Sequence, residues 1–121
     1  MGLLTLLLCD SPYQHESVDE AIDIAQEALN QGHQVHMFLM MDGVNTAHLK
    51  QIGEPLGVEA PSTRLTELIQ DGAQVFCSRV CMELRGISEE EIPNGVEVSG
   101  LFDLSESIAG SDTVLTFARR G

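Results

Sequence analysis

A chain of 121 residues, 43% of them hydrophobic, predicts one soluble globular domain covering residues 1–121, and it is too short for two domains. Nineteen acidic and six basic residues give a formal net charge of −13, which excludes nucleic acid as a direct partner because no basic surface neutralises phosphates. No apolar run approaches the ~20 residues that a membrane span needs, so no membrane partner is expected. The three cysteines lack the spacing of a disulfide framework, and the first residues do not form a signal peptide. Both observations indicate that the protein is located in the reducing cytoplasm.

The first part of the chain predicts a β-α-β unit. The apolar run at residues 3–9 shows no alternation, which indicates a strand buried on both faces. Ser17 and Glu20 form a capping-box signature before an amphipathic helix that Gly32 closes. A second strand is expected at residues 33–41, and it should run parallel to the first with a right-handed crossover.

Weaker patterns continue this alternation to the end of the chain. Short helices are expected within residues 44–52 and around residues 65–69, the latter closed by Gly72. A brief strand at residues 96–98, a helix capped by Asp103, and a last strand at residues 113–117 follow. The alternation predicts an α/β three-layer sandwich around a mostly parallel sheet of about five strands.

Residues 73–87 form the chemically distinctive stretch. A short apolar strand is expected to turn into a helix at Cys77, and two of the three cysteines and two of the six basic residues fall within nine positions. A thiol at a helix N-terminus near cations has a lowered pKa. Cys77 is therefore predicted to be the reactive thiol, with Arg79 and Arg85 binding the anion. Cys81 is the rival candidate, and its alternative role is that of a small buried apolar side chain.

The predicted strand ends give a candidate pocket, because sites of parallel sheets form beyond the carboxyl ends of the strands. Cys9 and Asp10 end the first strand, and Asp42 follows the second. These ends and that of the central strand at Cys77 should lie along one edge of the sheet. Tyr13 is expected to overhang this edge, either as a lid over the thiol or as a packing residue. Asp10 and Asp42 are expected to cap turns, the alternative being a bound cation.

The sequence predicts neither a cofactor nor a metal. It contains no glycine-rich nucleotide-binding motif. Only Cys77 and Cys81 are close in sequence, and the paired spacing typical of structural zinc is missing.

Several motifs occur in an order that resembles one protein family. They are Ser11-Pro12-Tyr13, Phe38-Leu39-Met40-Met41-Asp42-Gly43-Val44, Cys77…Cys81…Arg85-Gly86-Ile87 and Asp112-Thr113-Val114-Leu115-Thr116-Phe117. Together they resemble the DsrE/DsrF-like family, and especially its YchN-like branch, over nearly the whole chain. The cysteine, arginine and glycine signature is the most specific part of the likeness.

The resemblance implies a flavodoxin-like α/β fold, assembly into homotrimers or homohexamers, and persulfide handling in a sulfur relay. It also implies donor and acceptor proteins as partners. Relatives of the YchN type space their cysteines as C-x-x-C, whereas Cys77 and Cys81 are C-x-x-x-C here. Counting back from Arg85, Cys81 matches the second family cysteine directly. Cys77 matches the sulfur-carrying cysteine only with one inserted residue, but its expected place at the end of the strand favours it.

Two classes of function fit these patterns. In the first, Cys77 takes a persulfide sulfur from a donor protein and passes it to an acceptor thiol, as a carrier of the sulfurtransferase type. A dithiol redox protein is a variant of this class. In the second, the chain is a non-catalytic oligomeric binding or regulatory module whose cysteines are structural.

Overall fold

A parallel sheet forms the centre of the fold in the computed structural model, which describes residues 2–12, 17–49 and 60–118. The strands are β1 Leu3–Leu8, β2 Gln34–Leu39, β3 Gln74–Ser78, β4 Val96–Ser99 and β5 Thr113–Phe117. Within these ranges the sheet order is β4-β3-β2-β1-β5, and every neighbouring pair is parallel. The predicted parallel sheet of about five strands is therefore confirmed.

Helices cover both faces of this sheet. They are α1 Ser17–Asn30, α2 Pro61–Gln70, α3 Arg79–Leu84 and α4 Leu101–Gly110, with short 3-10 helices at Met41–Ala47 and Glu89–Glu91. Helices α1 and α2 contact each other and the central strands, whereas α4 contacts β1. From β1 to β4 each new strand is added on the same side of the previous one, whereas β5 returns to the other side of β1. Because crossovers between parallel strands are right-handed, this return puts α4 on the face of the sheet opposite α1 and α2. The three-layer α/β architecture is thereby confirmed.

The main core lies between the sheet and the α1–α2 layer. Alternate side chains of the three central strands point into it. They are Leu6, Leu8, Val35, Met37, Leu39, Val75 and Cys77, all no more than 2% exposed. Burial of these apolar side chains is the dominant stabilising contribution to the fold. Cys77 is thus a residue of the main core.

The opposite layer joins β2 and β3 to α4. His36 Nδ1 lies 2.7 Å from the Ser107 hydroxyl of α4, and the His36 ring meets the edge of Phe76. Phe76 stacks on Phe38 with ring centroids 4.4 Å apart. Burial lowers the pKa of His36, so the neutral imidazole is favoured at this contact.

The boundary between β3 and α3 differs from the sequence prediction. Cys77 lies inside β3, where it pairs in register with Leu39 on one side and Val98 on the other. Ser78 is the N-cap of α3, and its hydroxyl accepts a hydrogen bond of 3.4 Å from the Cys81 N–H. The prediction that the helix begins at Cys77 is wrong, because two neighbouring strands extend the pairing of β3 through this residue.

Other boundaries follow the sequence patterns more closely. Gly32 and Gly72 close α1 and α2 with φ of 87° and 111°, a conformation that glycine adopts without strain. Gly100 is the N-cap of α4, so Asp103 lies in the first turn and the prediction that it caps the helix is wrong. A 3-10 helix at Met41–Ala47 replaces the helix expected within residues 44–52, of which residues 50–52 lie outside the described residues. No helix in the described ranges is long and apolar enough to cross a membrane.

Candidate functional site

The carboxyl ends of the central strands meet at the sulfur of Cys81. The Met40 N–H donates a hydrogen bond of 3.0 Å to the Leu8 carbonyl, which extends the β1–β2 pairing past β2. The next residue, Met41, donates its backbone N–H to the Cys81 Sγ at 3.2 Å. The predicted edge therefore exists, and the sulfur hydrogen-bonded there belongs to Cys81.

Two hydrogen bonds, each donated by a backbone N–H, fix Cys81 in the first turn of α3. Its own N–H is held by the Ser78 hydroxyl, and its Sγ accepts from the Met41 N–H. A donor aimed at a sulfur atom stabilises negative charge on that atom. The Cys81 side chain is 7% exposed, so a small opening leads to it.

That opening belongs to a cavity of about 520 Å³ between α3, the end of β4 and the start of α4. Its lining includes Cys81 and Ser78 together with apolar side chains, namely Phe38, Met40, Val80, Val98, Leu101 and Leu104. Small-molecule sites typically have volumes of ~300–1,000 Å³ and mostly apolar walls. The cavity is therefore large enough to admit a thiol-bearing group to the Cys81 sulfur.

Cys77 is placed very differently from Cys81. It points into the main core and has no exposed surface. Burial, with a smaller contribution from the charge of nearby Cys81, raises the pKa of Cys77 to about 12. The prediction of a lowered pKa at Cys77 is wrong, because the residue lies in a buried strand and not at a helix N-terminus.

The two arginines have different partners. Arg79 is mostly exposed, and its Nη1 pairs with the Glu89 carboxylate at 3.1 Å at the rim of the cavity. Arg85 binds Asp42 through Nε at 3.0 Å and Nη2 at 2.9 Å, and its Nη1 donates to the Cys81 carbonyl at 3.1 Å. Arg85 thus connects α3 to the segment that carries the Met41 N–H.

Met41 and Gly43 shape this segment, and the sequence patterns, which include both residues in a family motif, did not predict a site role for either. Met41 has φ of 51°, a left-handed conformation that is uncommon for a residue with a side chain. A Cβ added to Gly43 would lie 1.9 Å from the Leu8 carbonyl oxygen and 3.3 Å from the Cys9 Cα. Only glycine allows the segment to pack so closely on the end of β1. The prediction that Asp42 caps a turn did not include this contact.

The other predicted pocket residues have separate outcomes. Cys9 is partly exposed, and burial, followed by the charges of Asp10 and Cys81, raises its pKa. Asp10 is buried and accepts a hydrogen bond from the Ser17 hydroxyl at the start of α1, which favours the capping role. Tyr13 lies outside the described residues. Within the described residues, no three His, Cys, Asp or Glu side chains are grouped as metal ligands.

Alkylation is expected to distinguish the three thiols. Iodoacetamide at neutral pH should label Cys81 first, because the raised pKa values keep Cys9 and Cys77 protonated and only thiolates react readily. Labelling of Cys9 should increase as the pH rises toward its raised pKa, while Cys77 should react only when the protein unfolds. Peptide mass spectrometry across a pH series measures the three rates. First labelling at Cys77 would contradict the site described above.

Comparison with known proteins places this chain and its fold in a family. The chain is 33% identical to the uncharacterized protein MK0008 of Methanopyrus kandleri, with 97% of this chain and 95% of the relative covered. It is 32% identical to the uncharacterized protein MJ0989 of Methanocaldococcus jannaschii, with 93% and 97% covered. The crystal structure of the ychN protein from E. coli matches with a TM-score of 0.77 and 25% identity, over 97% of this chain and 100% of that one.

A second structural match, to the protein of unknown function MTH1491 from Methanobacterium thermoautotrophicum, has a TM-score of 0.77 at 14% identity, over 97% of this chain and 100% of that one. At that identity the match supports the fold. The model of the DsrE/DsrF-like family matches residues 3–117. The chain therefore belongs to the DsrE/DsrF-like family.

Proposed function

We propose that this protein is a cytoplasmic sulfur carrier of the sulfurtransferase type, with Cys81 as the residue that carries the persulfide. The observation that supports this assignment most strongly is the Met41 N–H directed at the Cys81 Sγ beside an open cavity. Family membership supports the sulfur-relay class of function. The carrier role moves from Cys77 to Cys81 because Cys77 is enclosed in the core.

The relay consists of two thiol exchange steps. The Cys81 thiolate attacks the terminal sulfur of a donor persulfide, so that a new S–S bond forms on Cys81 and the donor leaves as a thiolate. An acceptor thiolate then attacks the terminal sulfur on Cys81, and Cys81 leaves as a thiolate. The Met41 N–H stabilises the negative charge on the Cys81 sulfur before the first step and after the second.

The cavity and the overall charge restrict the partners. Apolar walls around Cys81 favour an approaching group that is itself apolar next to its thiol. The net charge of −13 repels anionic partners at long range. Donor and acceptor proteins with a basic or neutral contact surface are therefore expected.

A loading assay tests the proposal. Purified protein is incubated with a cysteine desulfurase and cysteine, or with a rhodanese and thiosulfate, and its intact mass is measured. A carrier gains the mass of one sulfur atom and loses it again on treatment with a thiol reductant. If no sulfur is gained from either donor, the non-catalytic oligomeric module is the better account.

Arg85 is expected to act as a positioning residue. Arg85→Ala removes the link between α3 and Asp42, whose carboxylate is largely exposed, and ion pairs of this kind contribute up to ~1 kcal/mol. The rate of persulfide loading should fall by up to about fivefold, as expected for a rise of ~1 kcal/mol in the reaction barrier. Arg79→Ala on the same helix is the matched control and should leave the rate nearly unchanged.

A double-mutant cycle separates this role from a general loss of stability. Asp42→Ala should also reduce loading, and the double variant should be no slower than Arg85→Ala alone, which already lacks every contact that Asp42 makes with the guanidinium. Additive losses in the double variant would show that Arg85 acts independently of Asp42.

We also propose that copies of this chain assemble into a homotrimer or homohexamer. Apolar side chains on the two helices that border the cavity are exposed, among them Leu84 at 76% on α3 and Phe102 at 75% on α4. Such patches are typical of protein interfaces, and the likeness to the YchN-like branch favours a second copy as the partner. Light scattering should give three or six times the 13.1 kDa of one chain.

The interface prediction has its own control. Phe102→Glu should lower the assembly state, whereas Ile24→Glu, at a half-exposed apolar residue of α1 in the other layer, should leave it unchanged. A single-chain mass for the unmodified protein at micromolar concentration would contradict the assembly.

A further inference from the structure

Cys9 lies on the same face of the sheet as the cavity that contains Cys81. Its N–H donates a hydrogen bond of 2.9 Å to the Phe117 carbonyl, so the β1–β5 pairing continues through Cys9. Side chains alternate along an extended strand, which directs Cys9 to the face of Thr5. The Thr5 hydroxyl bonds to Ser111 at the end of α4, and this identifies the face as the one that α4 covers.

Met40 follows the end of β2 next to Cys9 and lines the cavity. Leu8 pairs with Leu39, and the Met40 N–H binds the Leu8 carbonyl, so the next residues in register are Cys9 and Met40. Paired parallel strands are ~4.8 Å apart. Met40 alternates to the face of Phe38, and both line the cavity together with Cys81.

The segment from Met40 to Gly43 therefore contacts both cysteines. The Met41 N–H binds the Cys81 sulfur, while Gly43 packs against the backbone at Cys9. The electrostatic influence of Cys81 on Cys9 is consistent with this closeness. Neither thiol is in a disulfide.

We propose that Cys9 is a resolving thiol for a persulfide on Cys81, which gives the protein a sulfide-releasing activity when no acceptor is bound. The inference rests on the carrier function proposed above. It adds a second fate for the carried sulfur, in competition with transfer to an acceptor.

The reaction balances with the groups already named and one thiol reductant. The Cys9 thiol loses its proton to water, and its thiolate attacks the inner sulfur of the Cys81 persulfide. A Cys9–Cys81 disulfide forms, and the bond between the two persulfide sulfurs breaks. The terminal sulfur leaves with the electron pair and takes up a proton from water, so the product is hydrosulfide and the proton lost by Cys9 is balanced. A dithiol reductant then supplies two electrons to restore both thiols.

The first arm of the test requires no sulfur donor. Reduced protein is treated with diamide, digested without reduction and analysed by mass spectrometry. A peptide linked through Cys9 and Cys81 is expected. Cys9→Ser should give no such peptide, while Cys77→Ala should still give it.

The second arm follows the loaded protein after the donor has been removed. The unmodified protein should release its sulfur as sulfide and become lighter than its reduced form by two hydrogen atoms. Cys9→Ser should retain its persulfide and release sulfide at least about tenfold more slowly. Cys77→Ala should match the unmodified protein. Circular dichroism checks folding, and Cys9→Ala replaces Cys9→Ser if the hydroxyl disturbs the end of the strand.

The two arms separate this inference from the proposed function. If the protein never gains sulfur, the carrier function fails, and the diamide arm still decides whether Cys9 reaches Cys81. If the protein loads, the resolving role is overturned when no linked peptide forms and Cys9→Ser loses sulfur as fast as the unmodified protein.

Discussion

Cys81→Ser is expected to abolish the gain of one sulfur atom in the loading assay, while Cys77→Ala retains it. A hydroxyl at residue 81 still fits beside the Met41 N–H, but it cannot form a persulfide. Cys77 has no exposed surface and a pKa raised to about 12, so neither a donor nor a hydroxide ion reaches it at neutral pH. The measurement is the intact mass of each variant after incubation with the donor.

Cys77→Ala is a stringent control because the residue is buried. Removing one sulfur atom from the core leaves a small cavity, which should lower the free energy of unfolding by ~1 kcal/mol. Loss of loading in a folded Cys77→Ala variant, together with normal loading of Cys81→Ser, would return the carrier role to Cys77. Normal loading in both variants would leave Cys9 as the thiol to test.

The sequence predicts the fold well because its helices and strands have strong local signals. Gly32 and Gly72 mark helix ends, and the alternation of elements indicates a parallel three-layer sandwich, which the structure confirms. The convergence of strand ends at one edge follows from the parallel sheet alone. Cys9 and Cys81 both lie at that edge.

Which cysteine faces the cavity depends on whether β3 ends before or after Cys77 and Ser78. Successive side chains of a strand point to opposite faces, so extending β3 through Ser78 turns Cys77 into the core. A C-x-x-C spacing counted back from Cys81 ends on Ser78, which lines the cavity. No inserted residue is needed to relate the two patterns: serine occupies the cavity-facing position, and Cys77 lies one residue earlier on the other face. Local sequence does not reveal this, because pairing with two neighbouring strands determines where β3 ends.

The sequence patterns also did not predict the partner of Arg85. They predicted that the Arg85 guanidinium, together with Arg79, binds the sulfur anion. The structure brings Asp42, 43 residues away, to the same guanidinium. A carboxylate offers a better fit to the planar guanidinium than a thiolate does. The Arg85 guanidinium therefore positions the backbone next to the Cys81 sulfur and does not pair with the sulfur itself.

Gly43→Ala is expected to be the most destabilising of the single substitutions considered. The added methyl carbon would lie 1.9 Å from the Leu8 carbonyl oxygen and 2.7 Å from its carbon, and both are backbone atoms of a buried strand. Overpacking against atoms that cannot rotate away costs ~3 kcal/mol or more. The expected result is a clear decrease in the denaturant midpoint, measured by equilibrium unfolding.

Persulfide loading should decrease in the same variant, because relief of the clash moves the segment that directs the Met41 N–H at the Cys81 sulfur. Gly110→Ala is the matched control: nothing lies within 4 Å of its added carbon, and the residue ends a helix without positive φ. That change should alter stability by less than ~1 kcal/mol and leave loading unchanged. A Gly43→Ala variant as stable as Gly110→Ala would show that the Met41–Ala47 segment is not packed against β1 as described. The hydrogen bond from the Met41 N–H to the Cys81 sulfur would then be contradicted as well.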